Sequence, residues 1–523
     1  MLNSYLRRSL GQIRRVSDLS SKKWKLPAGH PTNVDVFNRL ADDTVNLVTN
    51  FPNSCNWYCC GPTVYDSPHL GHACCYMQFD LIRRILEDVH GINVIMLMSI
   101  TDIDDKIINE ANKRASHFQE VALQYEQEFF DSMSKLNIKP PSLSLRVSQH
   151  IEDIIQFISK IINNGHGYVA DDRSVYFSVD NFPRYGKLSP AQEPETAAGK
   201  QSNRDFALWK AAKPGEPYWD SPWGRGRPGW HIECSAMASK YFGSSVDIHT
   251  GGIDLLFPHH ENEEAQSCAY HGCDQWVNYW LHSGHLHLQG QEKMSKSLKN
   301  TVSISTFLEE YSPDHLRTLC MLVPYRNGIE YSRDVMTNAT SVYSKINNFL
   351  SDCDAFIRGV GPKPIVNDGI LLKELQRAQE NIRNCLSSDF NTNGAMTDLL
   401  NLMSRTTSEL NSRSEGLQNT SFSVIAIANY VKNLLGKLGF FANRQIADQS
   451  TQVDDILQAS LNLRTSVRGL ALSNSMPSES REVKKSLLTA CDVFRSDLKN
   501  LGIEIKDRAN ASTWTFSTSR KQG

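Results

Sequence analysis

Near the start of the chain, short apolar runs and helical patterns follow one another in the order of a parallel α/β sheet. The apolar stretch over 56–60 predicts a strand, and apolar side chains at helical spacing predict a helix over 71–90. Residues 93–100 are almost continuously apolar, as in a parallel strand buried on both faces. This order predicts a doubly wound sheet whose ligand binds at the carboxyl ends of the strands.

The pattern after the second strand predicts further elements of mixed type. Thr101 or Asp102 is expected to cap a helix that runs to about Asn137, before the break at Pro140. Residues 190–204 are rich in Pro, Ala, Gly and Gln, which is typical of a surface loop. The later expected elements are a helix over 149–163, short strands over 167–179 and 246–249, a helix from Pro258 and a strand within 276–288.

From about residue 331 the pattern changes to long helices with polar outer faces. Helical periodicity over 342–357, 371–386, 395–410 and 423–441 predicts an α-helical bundle. Residues 442–480 are polar and loosely patterned, and 481–501 are expected to form one last helix. A chain of 523 residues is too long for one core, so we expect roughly three or four domains.

Composition and charge exclude several classes of protein. No apolar run is long enough to span a bilayer. The formal net charge of −2 gives no overall attraction to nucleic acid, so any RNA contact would use local basic patches. The 12 cysteines lack regular spacing, which argues against a disulfide framework and favours buried thiols or metal ligands.

Residues 1–20 differ from the rest of the chain. They combine arginines with regularly spaced leucines and several serines, and Asp18 is their one acidic residue. This composition is typical of a mitochondrial transit peptide, with a basic tail that touches RNA as the alternative.

Two short motifs suggest a nucleotide site. His69, Gly71 and His72 lie where a loop enters the first predicted helix, and a helix start with its exposed N–H groups suits polyphosphate. Two ordinary loop histidines would give the same pattern by chance. Far downstream, 293–297 places Lys293 and Lys296 among small hydroxyl residues, as in a flexible phosphate-binding loop.

Together these motifs resemble the HIGH and KMSKS motifs of class I aminoacyl-tRNA synthetases. The surrounding segments CCGPTVYD, ITDIDDKI, RPGWHIECSAM and FPHHENE resemble the cysteinyl-tRNA synthetase branch. The composition of residues 1–20 favours its mitochondrial form. The resemblance implies an α/β fold: a Rossmann-type nucleotide-binding catalytic domain over 30–330, with an insertion at about 115–215. An α-helical bundle over 331–441 and a small C-terminal anticodon-binding region over 442–523 would follow. The implied partners are tRNA(Cys), ATP and L-cysteine, for a monomer in the mitochondrial matrix that makes no membrane contact.

The resemblance also implies one Zn²⁺ per chain, held by Cys60, Cys234, His259 and Glu263. By spacing alone, only His259 and Glu263 lie on one helical face, and such a pair is more often a surface hydrogen bond. Cys59 is the alternative to Cys60, which we prefer because it directly precedes Gly-Pro-Thr. A buried structural thiol is the alternative for Cys234.

A metal would have a purpose in this family. Size alone separates similar substrates by only about 10- to 200-fold, whereas zinc binds a thiolate far better than a hydroxyl. By resemblance the cysteine would contact Gly61, Thr101, Trp230 and His259, and His231 and His249 would close the pocket.

For ATP, the resemblance implies binding by His69, Gly71, His72 and Lys296, with Mg²⁺ accompanying the nucleotide. His69, His72, Lys293 and Lys296 would be the catalytic residues, which position the phosphates and stabilise charge on the leaving pyrophosphate. Cys74 and Cys75 stand where a basic residue is common in the family.

One side activity and two competing functions are also considered. Lys106-Ile107-Ile108-Asn109 lacks the second lysine of a KIIK element that is linked to a pyridoxal phosphate-dependent cysteine persulfide synthase side activity, so that activity is doubtful here. A related ligase joins cysteine to an amino sugar on the same fold, but would lack the anticodon-binding region. A zinc-stabilised RNA-binding protein without catalysis would not need the histidines and lysines of the two motifs.

Overall fold

The computed structural model describes residues 24–189, 199–288, 301–360, 365–411, 422–441, 451–472, 481–508 and 511–516. The expected transit peptide at 1–20 and the loop at 293–297 with Lys293 and Lys296 therefore lie outside the described residues. Among those that are described, no helix combines the length and apolar character needed to cross a membrane.

A parallel five-stranded sheet forms the centre of the N-terminal half, in the spatial order β11-β10-β3-β4-β5. Its strands are β3 (Ser54–Cys59), β4 (Asn93–Ile100), β5 (Leu143–Arg146), β10 (Val246–Gly252) and β11 (Val277–Ser283). Because β4 and β10 lie on opposite sides of β3, the strand order reverses beside β3. This is the point at which doubly wound sheets bind ligands.

Helices cover this sheet, and most begin close to their predicted starts. They are α1 (Leu70–Arg84), α2 (Asp105–Arg114), α3 (Phe118–Lys135), α4 (Ile151–Asn163), α5 (Trp230–Phe242) and α6 (Glu261–His271). The single helix predicted as far as Asn137 is wrong, because Ala115 adopts a left-handed conformation (φ 51°) that separates α2 from α3. Alanine carries no sequence signal for such a break.

Two small sheets flank the central one. The antiparallel pair β1 (His30–Asn38) and β2 (Asp43–Thr49) precedes β3. Between β5 and β10 the chain forms a second, antiparallel sheet of β6 (Gly167–Val169), β7 (Val175–Phe177), β8 (Phe206–Ala211) and β9 (Gly226–Pro228). This sheet begins inside the predicted insertion at about 115–215, and its last strand, β9, lies beyond the predicted end. β9 leads directly into α5.

Helices dominate the C-terminal half. Its elements are β12 (Leu286–Leu288), α7 (Ile304–Glu310), α8 (Pro313–Met321), β13 (Ile329–Tyr331), α9 (Arg333–Ile357), α10 (Asp368–Ser387), α11 (Thr392–Leu410), α12 (Phe422–Lys437), α13 (Thr451–Leu472), α14 (Arg481–Asn500), β14 (Ile503–Arg508) and β15 (Ala511–Phe516). The loose pattern expected over 442–480 is wrong for α13. Its buried Leu457, Leu461 and Arg464 recur at helical spacing.

A buried charged junction joins the end of the bundle to the sheet domain. Arg317 of α8 donates to the Asp80 carboxylate in α1 at 2.6 Å and to the carbonyl oxygens of Asn137 at 2.9 Å and Leu438 at 3.1 Å. Gly439 covers this guanidinium with a φ of +89°, and a Cβ there would lie 2.8 Å from Cζ of Arg317. Three distant parts of the chain therefore meet on one arginine.

Candidate active site

The loops that follow β3, β4 and β10 meet at the carboxyl edge of the sheet. The backbone N–H of Cys60, just beyond β3, donates to the carbonyl oxygen of Thr250 in β10 at 3.0 Å. On the other side, Thr63 and Thr101 form an isolated parallel bridge beyond the ends of β3 and β4. Cys60 thus lies at the position where the strand order reverses, with its side chain buried.

Four side chains of types that can ligate a metal converge on this edge from separate parts of the chain. Ligand atoms of Cys60, Cys234, His259 and Glu263 all lie within 4.8 Å of one another, and all four residues are buried. The two sulfur atoms are 3.9 Å apart, and Nε2 of His259 is 2.9 Å from Oε1 of Glu263. We call these residues the Cys-Cys-His-Glu group. They come from the loop after β3, from α5, from the turn before α6 and from α6 itself.

A second set of ligands overlaps the first. Cys60 and Glu263 also lie within 4.8 Å of His249 and His260. Nε2 of His249 is 2.8 Å from Oε2 of Glu263, and Nδ1 of His260 is 2.8 Å from Nε2 of His282. His260 and His282 were missed from the sequence. The repeated histidine in FPHHENE was the available signal for His260.

Charges within the Cys-Cys-His-Glu group shift one another's pKa and leave it with a net charge of −1. The hydrogen bond from Cys60 lowers the pKa of the Cys234 thiol to about 5, while burial raises the pKa of Cys60 itself. Burial would lower the pKa of His259, but Glu263 and Cys234 raise it to about 10. Burial would likewise raise the pKa of Glu263, but His249 and His259 lower it to about 2. The residues therefore favour one thiolate, one imidazolium and one carboxylate when no metal is present.

Cys59 is not part of this group. Its sulfur lies 3.6 Å from the carbonyl oxygen of Cys60, and burial raises its thiol pKa to about 12. The structure thus brings Cys60, and not Cys59, to the other three side chains.

The residues expected to contact cysteine surround the same point. A Cβ on Gly61 would overlap the backbone oxygen of Ser99, so only glycine fits there. Trp230 stacks on His259 with ring centroids 4.3 Å apart and remains 38% exposed, so it forms an open wall. Nδ1 of His231 lies 2.8 Å from Nδ1 of His259. Thr101 is buried and its hydroxyl donates to Oε2 of Glu233 at 3.3 Å.

The two motif histidines form the start of α1. The His69 ring accepts from the N–H of Gly71 at 3.1 Å, and the N–H of His69 donates to Nδ1 of His72 at 3.3 Å. Their rings stack with centroids 3.9 Å apart. A Cβ on Gly71 would lie 2.9 Å from the His69 ring, so a larger residue at this position would displace the ring.

The segment after the predicted lysine loop returns to this helix start. The N–H of Leu70 donates to the carbonyl oxygen of Val302 at 2.9 Å, and His69 forms an antiparallel bridge with Ser303. Residues 289–300, which contain the two lysines, lie outside the described part of the chain.

Comparisons with known proteins agree on one family. Residues 47–341 match the family of tRNA synthetases class I (C) catalytic domains. A probable mitochondrial cysteine–tRNA ligase of Xenopus tropicalis is 41% identical over 94% of this chain and 91% of its own length. The cysteine–tRNA ligase of Methanococcus maripaludis is 39% identical over 91% of this chain and 98% of its own.

Solved structures share the fold at much lower identity. Methionyl-tRNA synthetase of Mycobacterium tuberculosis, in complex with methionyl-adenylate, matches with a TM-score of 0.59 and 15% identity, over 76% of this chain and 93% of that one. A leucyl-tRNA synthetase of Agrobacterium radiobacter matches with a TM-score of 0.54 and 10% identity, over 75% and 84% of the two chains. These similarities confirm the predicted α/β fold.

Proposed function

Because the chain belongs to the cysteine–tRNA ligase family of class I aminoacyl-tRNA synthetases, we propose that its Cys-Cys-His-Glu group holds zinc and binds the sulfur of L-cysteine. The family's reaction has two steps. The cysteine carboxylate attacks the α-phosphorus of ATP, which forms cysteinyl-adenylate and releases pyrophosphate. A ribose hydroxyl of the terminal adenosine of tRNA(Cys) then takes the cysteinyl group, and AMP leaves.

The observation that carries this proposal is the convergence of two buried thiols, an imidazole and a carboxylate within 4.8 Å. Two sulfur ligands, one nitrogen and one oxygen match the ligand preference of zinc. We prefer this set to the one with His249 and His260, because it contains both thiols. In addition, His249 already holds Oε2 of Glu263 at 2.8 Å, the contact by which a neighbouring residue orients a ligand.

Bound zinc would supply a soft Lewis acid that takes the substrate sulfur as a thiolate and leaves a serine hydroxyl weakly held. The chain's own residues would do the rest of the selection. Gly61 leaves room beside Cys60, and Trp230 covers the pocket on the side of His259. With the sulfur fixed, the substrate carboxylate can be directed toward the start of α1.

At the other end of the site, His69 and His72 would position ATP through the start of α1. The positive end of the helix dipole favours the phosphates there. The N–H groups of Leu70 and Gly71 already have partners, so the histidine rings would make the direct contacts. Lys293 and Lys296 would approach the same point, because Val302 and Ser303 anchor the end of their loop on α1. They would stabilise the charge on the leaving pyrophosphate, together with the Mg²⁺ that accompanies ATP.

The remaining assignments rest on resemblance. We propose that the insertion contacts the acceptor end of tRNA, that 442–523 reads the anticodon, and that the chain works as a monomer in the mitochondrial matrix. The match covers 91% and 98% of the length of the two cysteine–tRNA ligases named above. This coverage favours tRNA charging over joining cysteine to an amino sugar. The persulfide side activity stays an untested prediction.

The test is cysteine-dependent exchange between ATP and labelled pyrophosphate, followed by charging of tRNA(Cys), on protein whose metal content is measured. We expect about one zinc per chain and strong preference for cysteine over serine. Purified protein without zinc, or equal activation of serine, would contradict the proposal. Exchange without charging would favour the amino-sugar ligase, and zinc without exchange would favour a non-catalytic RNA-binding protein.

A further inference from the structure

The end of α6 carries a pair of thiols that the proposed reaction does not use. Cys268 lies in the last turns of this helix and is only 1% exposed, whereas Cys273 follows the helix and is half-buried. Their sulfur atoms lie 3.9 Å apart. Gly272 ends the helix in a left-handed conformation (φ 69°), and its N–H donates to the carbonyl oxygen of Cys268 at 2.9 Å.

A helix that ends in this way commonly brings two side chains together. The residue after the glycine packs against the residue at the position that Cys268 occupies. Cysteine can fill such a contact as a small apolar residue, so the contact alone implies no chemistry. The surroundings of Cys273 are what distinguish this pair from an ordinary packing contact.

Basic side chains surround the half-buried thiol. Nζ of Lys187 lies 2.9 Å from Oε1 of Glu264, and it also donates to the carbonyl oxygen of Asp274. The carboxylate of Asp274, the residue after the thiol, pairs with both Lys25 and Arg184. Three cations therefore face two carboxylates, which leaves one positive charge to stabilise a thiolate.

The two thiols differ in acidity as a result. The hydrogen bond from Cys268 and the ammonium group of Lys187 lower the pKa of Cys273, although burial and the Glu264 carboxylate oppose them. The same contact between the thiols, together with burial, raises the pKa of Cys268. An accessible thiolate beside a second, buried thiol is the arrangement that favours reversible oxidation.

We propose that Cys268 and Cys273 form a redox site, which hydrogen peroxide converts to a disulfide and a dithiol reductant restores. The Cys273 thiolate attacks one peroxide oxygen, so that an S–O bond forms, the O–O bond breaks and hydroxide leaves. The Cys268 sulfur then attacks the sulfur of the sulfenic acid. The S–S bond forms, the S–O bond breaks, and the leaving hydroxide takes the proton of Cys268 as water. The two sulfurs lose two electrons, and the peroxide gains them.

The turn can accommodate this bond. A disulfide bond is about 2 Å long, so the sulfur atoms must approach each other by about 2 Å. Rotation of the two side chains supplies part of this movement. The backbone at Gly272 is also open, since a Cβ there would have no atom within 4 Å.

The redox site is separate from the Cys-Cys-His-Glu group, and its existence does not depend on the proposed function. Cys268 follows Glu263 by five residues on α6, which is about 7–8 Å along the helix axis. Disulfide formation at the end of α6 and loss of metal are therefore events that can be measured independently.

The test treats the zinc-loaded protein with peroxide, blocks the remaining thiols by alkylation and locates the oxidised residues by mass spectrometry. Chymotrypsin cleaves after Tyr270, between the two cysteines. We expect a peptide that contains Cys268 to be joined to one that contains Cys273, with a loss of about 2 Da that dithiothreitol reverses. A metal indicator should detect no released zinc while this bond forms.

Cys385 provides an internal reference for reactivity. It is half-buried like Cys273, but burial and Asp398 raise its pKa. We expect peroxide to oxidise it at least about tenfold more slowly than Cys273. Cys385→Ser is the matched control variant, and it should form the disulfide at the rate of the parent protein.

Variants of the pair separate its two roles. In Cys268→Ala, Cys273 has lost its partner, so oxidation should stop at a sulfenic acid that dimedone traps. In Cys273→Ser, Cys268 should remain reduced because it is buried. Since Cys273 is half-exposed, this second variant tests the proposal even if the substitution of Cys268 prevents folding.

Three results would overturn the redox site: no joined peptides at a peroxide concentration that oxidises Cys385, joined peptides that pair Cys273 with a different cysteine, or zinc release before the disulfide forms. None of these measurements uses catalytic activity. Failure of the parent protein to activate cysteine would instead contradict the proposed function alone.

Discussion

The two ends of the site are built in opposite ways. At the start of α1, His69, Gly71 and His72 lie within four residues and hold one another through a capping box and stacked rings. The Cys-Cys-His-Glu group instead draws on residues from 60 to 263, and it exists only when the strands are in order. A local motif can therefore keep its geometry when a distant residue is substituted. A metal site assembled by the fold should instead lose affinity when any one of its ligands is removed.

Removing one ligand should have the largest effect. We expect Cys234→Ser to lose bound zinc and to lower cysteine-dependent pyrophosphate exchange by about 10³-fold or more, beyond the 10- to 100-fold typical for residues that only support a metal ligand. Metal analysis and the exchange assay measure this directly. Cys59→Ser is the control, since Cys59 lies outside the group; zinc retained in Cys234→Ser would disprove its role.

The phosphate end should respond differently. Lys296→Ala is expected to slow adenylate formation by about 10²–10³-fold, as for the loss of one group that stabilises transition-state charge. Cysteine affinity should stay within about twofold, because the sulfur ligands are untouched. Single-turnover kinetics separates the two quantities. Lys299→Ala, three residues along, should be nearly neutral, and unchanged rates in Lys296→Ala would refute the assignment.

A third variant tests whether Glu263 depends on its neighbour. His249→Asn removes the contact of 2.8 Å to Oε2 of Glu263, and we expect zinc affinity to fall by about 10- to 100-fold. Competition with a metal chelator gives the affinity. His271→Asn, at the far end of α6, serves as the control. A loss above 10³-fold would instead favour His249 as a ligand in the second set.

The smallest expected effect concerns another capped helix start. At α8, Ser312 and His315 form the same kind of box as His69 and His72, but His315 is buried, and burial lowers its pKa to about 4. Since the unfolded chain binds this proton first, near pH 6.5, the contribution to stability is complete above that pH and is lost as the pH falls toward 4.

Between pH 7 and pH 5 this histidine should account for about 2 kcal/mol of the fall in the free energy of unfolding. Urea unfolding of the parent chain and of His315→Gln at both pH values measures it. The variant should show a smaller dependence on pH, and equal dependence in the two proteins would contradict the assignment.

The sequence predicts local features well and distant contacts poorly, for a physical reason. The strand over 93–100 and the helix start at His69 follow from periodicity and capping, which involve neighbours in the chain. The meeting of Cys60 with Cys234 depends on which strands lie side by side, and no spacing encodes that order. It could be anticipated only from resemblance.

The features that the sequence failed to predict also lack a signal among neighbouring residues. The break between α2 and α3 lies at Ala115, a residue type that does not predict a left-handed conformation. His260 lies beside the predicted ligand His259, yet its contact with His282 arises across two elements that only the folded sheet brings together.

The arginine junction described above also decides where the chain can be divided. The match to the catalytic family ends at residue 341, yet Arg317 needs the carbonyl oxygen of Leu438 and fits closely under Gly439. A fragment that stopped at 341 would lose the Leu438 carbonyl and the Gly439 cover, and would open the buried Arg317–Asp80 ion pair and the core around it to water. The catalytic half is therefore not an independent module, and shortening the chain from its C-terminal end should abolish folding before the whole bundle has been removed.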